Sequence, residues 1–300
     1  MFLALLAAML FAASAVCGQT LSRQLGGVTA NACRITIACT LLGLITWGWF
    51  PGQIHAATFR WLLLSGVLGF GFGDVALYLA YPLLGARTAV LINLCMATLV
   101  GAVADRVFLG TQLTSPEIAA AALTLVGVVL AMHKRDEPFQ WNAGLWLTLF
   151  AGTCQGLGLM LSRYAQGIAQ AHELVMSGPT QAFQRTLGGV LIGWIALAIL
   201  RASLKGQTLV PASARTSKLP YWIMGASFFG PVAGVSILQM ALQQVGSSAI
   251  VSAITSTAPL MLLPISRFID REKPTRQAIC GSFLAVGGVV AMAYYRSIAR

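Results

Sequence analysis

Apolar runs long enough to cross a membrane recur along the 300-residue chain from end to end, and they constrain its fold more than any other feature. Each run has about 17–25 residues, which lets a helix cross a ~30 Å hydrocarbon core. Only 9% of the residues are charged, against about 25% in soluble proteins. We therefore expect an all-α, multi-pass membrane protein. Glycine, proline and charged residues divide it into ten predicted helices, at about 2–21, 30–50, 61–82, 88–105, 117–133, 143–162, 179–200, 220–243, 248–267 and 278–295.

The chain also repeats itself. Residues 69–132 align with residues 230–293 without a gap, which places a G-x-x-x-G pattern at the same point in each copy. Upstream, Arg34 in the second predicted helix has a counterpart in Arg185 of the seventh. Five helices in each copy would start the second copy on the opposite face of the membrane. We predict two inverted five-helix repeats, at residues 1–136 and 137–300.

Each repeat shows the same order of features. An Arg-bearing second helix precedes a Gly-rich third helix, a small-residue fourth helix, a degenerate G-E-x-x-T loop (GTQLT at 110–114, REKPT at 271–275) and a fifth helix with G-V-V. In this order the chain resembles the EamA-type transporters of the drug/metabolite transporter (DMT) superfamily, over nearly its whole length and twice. The resemblance implies a secondary transporter in the cell (inner or plasma) membrane. It favours export of an amino acid, metabolite or drug through a central cavity.

Asp74 is an unusual residue against this background. No other charged residue lies within ten positions of it, and Val235 takes its place in the second repeat. A charge at mid-bilayer costs at least ~2.5–3.5 kcal/mol, so such residues usually face a cavity or a partner. Tyr78 and Tyr81 follow at i+4 and i+7 on the same helical face. We predict that Asp74 faces the cavity, bonds Tyr78 and is the proton- or cation-responsive site. A purely structural carboxyl group is the alternative.

Uncharged polar side chains inside apolar spans need either a partner or a water-filled cavity. Arg34 and Arg185, the other charged residues inside the spans, have long side chains that could extend to the interface, so we interpret them as structural charges. The fifth and tenth helices carry few polar residues, and we expect them to be peripheral. Besides Asp74, Tyr78 and Tyr81, the candidates for substrate or coupling contacts are Asn93, Thr98, Gln155, Gln184, Gln239, Ser252 and Thr255, although each could instead join helices.

Several function classes find no support in the sequence. The net charge of +11 is spread singly and in pairs, without the stacking aromatics of a nucleic-acid site. The six cysteines lie in apolar runs without metal-ligand spacing, and no catalytic or ATP-binding motif is present, so we predict no enzyme, metal or cofactor. The expected partners are a small-molecule substrate, the lipid bilayer and a coupling proton or cation. A homodimer is compatible with the sequence. An intramembrane enzyme on lipid-linked substrates and a non-transporting structural subunit stay open as alternatives.

The loop charges predict an orientation that differs from the one the resemblance implies. Lysines and arginines concentrate in cytoplasmic loops of membrane proteins. Loops after even-numbered helices, with the C-terminus, carry five: Arg60, Arg106, Arg163, Arg296 and Arg300. Loops after odd-numbered helices carry twelve: Arg23, Arg87, Lys134, Arg135, Arg201, Lys205, Arg215, Lys218, Arg267, Arg271, Lys273 and Arg276. The charge count thus places both termini outside, whereas the resemblance implies that both are cytoplasmic.

Overall fold

Helices make up nearly all of the structure, a computed structural model that describes residues 2–109, 115–132, 142–203, 218–245, 251, 254–262 and 275–298. These ranges contain no strand, and seven helical stretches within them are long and apolar enough to cross a bilayer. Large apolar side chains such as Trp47 and Trp49 point outward, 69% and 75% exposed, as lipid-facing residues do. The predicted class of all-α membrane protein is confirmed, while the count of ten helices and the inversion of the repeats stay predictions.

The described residues of the first half of the chain form six α-helices and one π-helical segment. They are α1 (Phe2–Leu25), α2 (Gly27–Trp49), α3 (Ala56–Gly66), π1 (Val67–Gly73), α4 (Asp74–Leu84), α5 (Ala86–Leu109) and α6 (Ser115–Met132). The second half contains α7 (Ala143–Ala171), α8 (Gly178–Ser203), α9 (Leu219–Ser227), π2 (Phe228–Val235), α10 (Ser236–Val245) and α11 (Arg276–Ile298). Between α10 and α11, residues 254–262 include a turn at 256–257 followed by a helical segment.

Two single glycines reverse the chain between long helices. Gly26 joins α1 to α2 with φ of 76°, and Gly85 joins α4 to α5 with φ of 75°. Glycine is favoured there because it adopts positive φ without a steric penalty. The predicted eight-residue gap between the first two helices was therefore wrong, since both helices continue to Gly26. Apolar periodicity underestimates such helix ends when polar residues are buried by neighbouring helices, as Ser22 is.

The two π-helical segments lie at equivalent positions of the sequence repeat. π1 begins at Val67 and π2 at Phe228, which are separated by the same 161 residues as the aligned glycines. A π-helix bonds residue i to residue i+5, which widens the helix and recurs at functional sites. The Gly69 carbonyl in π1 accepts a hydrogen bond from the side chain of Gln155 at 3.3 Å. Each half therefore carries the same interruption in the same helix.

Helix packing places α6 and α11 against each other at one side of the molecule. A Cβ added to Gly127 would overlap the backbone of Ala285, and one added to Gly281 would overlap Ala131. These glycines let the two backbones approach closely, as small residues do in membrane interfaces. Gly287 has no atom within 4 Å of such a Cβ, so it takes no part in this contact. Elsewhere α2 packs along α8, and α5 along α7.

Candidate functional site

A cavity of about 140 Å³ lies between the helices of the two halves. Its walls come from α1, α2, π1, α4, α5, α7, α8, π2, α10 and Thr255. None of its described lining residues belongs to α6 or α11, which confirms the prediction that these helices contribute little to it. The volume is several times the ~30 Å³ that one water molecule occupies in liquid water, so the cavity has room for a small solute.

A buried ion pair lies in the wall of this cavity. Arg34 Nη2 donates to Asp74 Oδ2 and, at 3.0 Å, to Asn31 Oδ1. Gln155 Nε2 donates to the other carboxylate oxygen of Asp74 at 2.7 Å. The Arg34 guanidinium also lies 4.7 Å from the centre of the Tyr78 ring, where a cation is attracted by the ring quadrupole. Through this network the charge of Asp74 connects α2, α4 and α7.

These contacts correct two expectations about charged residues. Arg34 and Arg185 are 5% and 3% exposed, so neither side chain extends to the membrane interface. The hydrogen-bond partners of the Asp74 carboxylate are Arg34 and Gln155, whereas the Tyr78 ring lies against Arg34. The first expectation was wrong because both arginines begin two turns inside their helices, as the eighth residue from Gly27 and from Gly178, and point toward the cavity.

The two arginines have equivalent main-chain surroundings. A Cβ on Gly66, the last residue of α3, would overlap the carbonyl oxygen of Arg185, so α3 and α8 touch backbone to backbone. At the position 161 residues later, Ser227 Oγ donates to the carbonyl oxygen of Arg34 at 3.0 Å. In each half, the helix that precedes the π-helical segment thus contacts the arginine-bearing helix of the other half. Both guanidinium groups line the same cavity.

The side chains of the two arginines also lie against equivalent glycines. A Cβ on Gly69 of π1 would be 3.3 Å from Arg185 Nη2, and one on Gly230 of π2 would be 3.2 Å from Arg34 Nη1. The missing side chains therefore make room for the guanidinium groups. The G-x-x-x-G patterns that the sequence repeats have this role in the structure, in addition to helix packing.

The predicted contact residues divide into three groups. Gln184 and Gln239 do not line the cavity: Gln184 donates to the Thr180 carbonyl, and Gln239 bonds Ser162 and Gln166. Gln239 is held by partners on α7, whereas Gln184 bonds only its own helix and keeps a buried Oε1 without a partner, so neither side chain lines this cavity. Ser252 lies outside the described residues. Those that line the cavity are Asp74, Tyr78, Tyr81, Asn93, Thr98, Gln155 and Thr255.

The glutamine side chains form a polar cluster of their own between α7, α8 and α10. Gln166 Nε2 donates at 2.8 Å to Gln181 Oε1 and at 2.8 Å to Gln239 Oε1. Gln239 Nε2 in turn donates to Ser162 Oγ at 2.9 Å. Because all four side chains are buried, these bonds join the three helices firmly.

Some cavity residues were not predicted from the sequence. Arg34 and Arg185 line it, as do Ser14 on α1 and Phe70 on π1. The alignment of Gly69 with Gly230 is the signal that could have indicated the two arginines, because each glycine lies against one guanidinium group. Among the described residues, no group of three or more His, Cys, Asp or Glu side chains could hold a metal ion.

Comparison with known proteins identifies the family. The family model described as "EamA-like transporter family" matches residues 1–133 and 142–294. The chain belongs to the EamA-like transporter family. The predicted resemblance to EamA-type transporters of the DMT superfamily is therefore confirmed. As an EamA-like protein with several apolar helices of transmembrane length, the chain is an integral membrane protein of a transporter family.

Comparison with individual proteins shows a similarity of fold and nothing further. No curated protein matches the chain at a significant level. One solved structure, described only as a crystal structure of a protein, has 15% identity and a TM-score of 0.65. The match covers 100% of this chain and 98% of that one. The EamA-like chain therefore shares its overall helix arrangement with a structure of nearly the same extent.

Proposed function

We propose that this EamA-like chain is a secondary transporter that exports a small organic solute across the cell membrane by alternating access. The observation that carries the proposal is the cavity with a buried ion pair in its wall, lined by residues of both predicted repeats. Inverted repeats of secondary transporters bind their substrates at such a position, between the halves and near the bilayer midplane. The direction of export rests on the family resemblance.

Asp74 is the coupling site in this proposal. As a carboxylate it bonds Arg34 on α2 and Gln155 on α7, so its charge joins three helices. A proton on Asp74 would remove that charge and weaken the link to Arg34. The titratable or charged groups that line the cavity with it are Arg34, Arg185, Tyr78 and Tyr81. A proton from either side of the membrane could in this way shift the balance between two arrangements of the helices.

Flux into vesicles tests the transport function. The purified full chain, reconstituted into vesicles with an imposed pH gradient, is offered radiolabelled amino acids, sugars, organic acids and cationic drugs. We expect saturable flux of at least one class, above that of empty vesicles. Absence of flux for all classes, with intact protein in the vesicles, would overturn the proposal and favour a structural subunit. Chemical conversion of lipid-linked substrates in the same vesicles would instead favour an enzyme.

Asp74→Asn tests the coupling site because it keeps the shape of the side chain and removes its charge and titration. We expect the variant to insert and fold, with a lower stability because Arg34 loses its counter-ion, and to lose flux driven by the pH gradient. Glu173→Gln is the matched control, since it removes an exposed carboxylate that lies outside the cavity. If Asp74→Asn transports like the wild type across the pH range, Asp74 is a structural carboxyl group.

A further inference from the structure

The described lining of the cavity contains one more positive charge than negative. Its charged residues are Arg34, Arg185 and Asp74. The Asp74 carboxylate is already occupied, because its two oxygens accept bonds from Arg34 and Gln155. One guanidinium group therefore faces the cavity without a carboxylate of its own.

That group is Arg185. Only 3% of its surface is exposed, and its buried Nε has no hydrogen-bond partner; the Asp74 charge acts on the guanidinium group from a distance, but no ion pair joins it to a described residue. The guanidinium group has a cation–π contact with Phe70, in which Arg185 Cζ lies 5.0 Å from the centre of the ring. A cation–π contact contributes about 0.5–2 kcal/mol, which is less than the several kcal/mol that burial of an ion costs. An anion in the cavity would offset the remainder.

The sequence repeat indicates which position of the second half lacks the negative charge found in the first half. Arg34 and Arg185 occupy equivalent positions, and so do Asp74 and Val235. Asp74 pairs with Arg34, whereas the equivalent Val235 lines the same cavity without charge. Two equivalent arginines thus share a cavity whose described lining contains a single carboxylate. The second carboxylate would have to come from the solute.

We propose that the transported solute is an organic anion whose carboxylate binds Arg185, an inference that rests on the proposed transport function. A guanidinium group presents paired N–H donors that match the two oxygens of a carboxylate. Phe70, Leu94 and Leu159 offer apolar walls to the body of such a molecule. Asn93 Oδ1, which is buried without a partner, can accept a hydrogen bond from a hydroxyl or N–H group elsewhere on such a molecule. A cationic solute would instead meet an excess of positive charge.

Two series of probes with the same shape and different charge test the preference. Benzoate, benzamide and benzamidinium form an aromatic series, and valerate, valeramide and pentylammonium an aliphatic one. Each probe is added to the purified full chain in detergent, and the midpoint of thermal unfolding is followed over a range of concentrations. A ligand that binds the folded state raises this midpoint in a saturable manner. We expect a rise with a carboxylate and none with its amide or its cationic counterpart.

Substitutions at the two equivalent positions then assign the site. Arg185→Gln should weaken the apparent affinity for the carboxylate about 10- to 100-fold, the range expected for lost hydrogen bonds to a charged group. Val235→Asp should supply the missing carboxylate to Arg185 and remove carboxylate binding. Val235→Asn has nearly the same shape without the charge, so the difference between the two variants isolates the effect of charge. Arg60→Gln removes an exposed positive charge outside the cavity and should leave binding unchanged.

The outcomes separate this inference from the proposed function. Stabilisation by a cationic probe, or by no carboxylate in either series, would overturn the inference, and so would undiminished carboxylate binding by Arg185→Gln. In the vesicle assay, uptake of a cationic or neutral solute alone would overturn the inference while leaving transport intact. Carboxylate binding without flux of any solute would overturn the proposed transport and leave an anion-binding membrane protein. Val235→Asn is the control for the effect of placing a polar side chain without charge at that position.

Discussion

Arg34 and Asp74 form an ion pair between side chains that are only 6% and 7% exposed, and 40 residues separate them in the sequence. Each charge would be costly to bury alone, and each is stabilised by further contacts. Asn31 accepts a bond from Arg34, and Gln155 donates one to Asp74. The pair therefore connects α2 to α4 at the cavity while keeping a titratable group accessible to what enters it.

Removal of one partner of this pair should destabilise the protein more than removal of both. Arg34→Met leaves the Asp74 carboxylate without its counter-ion, and breaking a buried pair in this way costs about 3–5 kcal/mol. The double variant Arg34→Met/Asp74→Leu leaves no uncompensated charge and should recover much of the loss. Thermal unfolding in detergent measures both. Additive losses in the double variant would show that the two residues stabilise the fold independently.

The contact between α3 and α8 should not tolerate even a methyl group at Gly66. A Cβ there would overlap the Arg185 carbonyl oxygen, which belongs to the backbone and cannot move aside cheaply. We expect Gly66→Ala to lower stability by about 1–3 kcal/mol or more, as overpacking does, and to disturb Arg185. Gly287→Ala is the control, because a Cβ at Gly287 meets no atom within 4 Å. Equal unfolding midpoints for the two variants would contradict the close contact.

Gln239 should matter for stability rather than for solute affinity. Its side chain bonds Ser162 and Gln166 outside the cavity, so Gln239→Leu leaves buried polar groups without partners. The expected cost is about 1–3 kcal/mol. The unfolding midpoint should fall, while the concentration for half-maximal flux stays within twofold of the wild type. A rise in that concentration without loss of stability would support the sequence-based assignment of Gln239 to the substrate site.

The charge count predicts that the C-terminus faces outside. A C-terminal reporter that is active only in the cytoplasm should therefore be silent, and one that is active only outside should give a signal. Substitution of Arg271 and Lys273 by Gln, which reduces the loop charge after the ninth predicted helix, should weaken this preference. A cytoplasmic signal from the unmodified loops would instead support the orientation implied by the family resemblance.

The membrane class could be predicted from apolar runs within single segments, and the family from the order of motifs along the chain, while the role of Asp74 stays a prediction. The partners of Asp74 could not be predicted in the same way. Arg34 and Gln155 lie 40 and 81 residues away on other helices, and their approach depends on how closely the helices cross. Gly27 permits the close approach of α2 to α4, because a Cβ there would overlap the carbonyl oxygen of Tyr78, yet its neighbours in the sequence do not reveal which backbone it will touch.

Gln239 illustrates a second reason for error. A glutamine inside an apolar span needs partners, but the sequence does not distinguish a cavity from another glutamine. Three further polar side chains, Ser162, Gln166 and Gln181, lie close enough to form a cluster with it. The same pattern predicts both environments, and the relative rotation of α7, α8 and α10 decides between them.

The unequal positions of Asp74 and Val235 also have an electrical consequence. With Asp74 ionised, the described charged residues of the empty cavity sum to one positive charge, and a bound monoanion brings this sum to zero. A membrane potential does about 2.3 kcal/mol of work per elementary charge for each 100 mV. The voltage would therefore act on the return of the empty carrier and hardly on its loaded passage. An uncharged valine, placed where its counterpart is an acid, would make the return of the empty carrier the step that senses the potential.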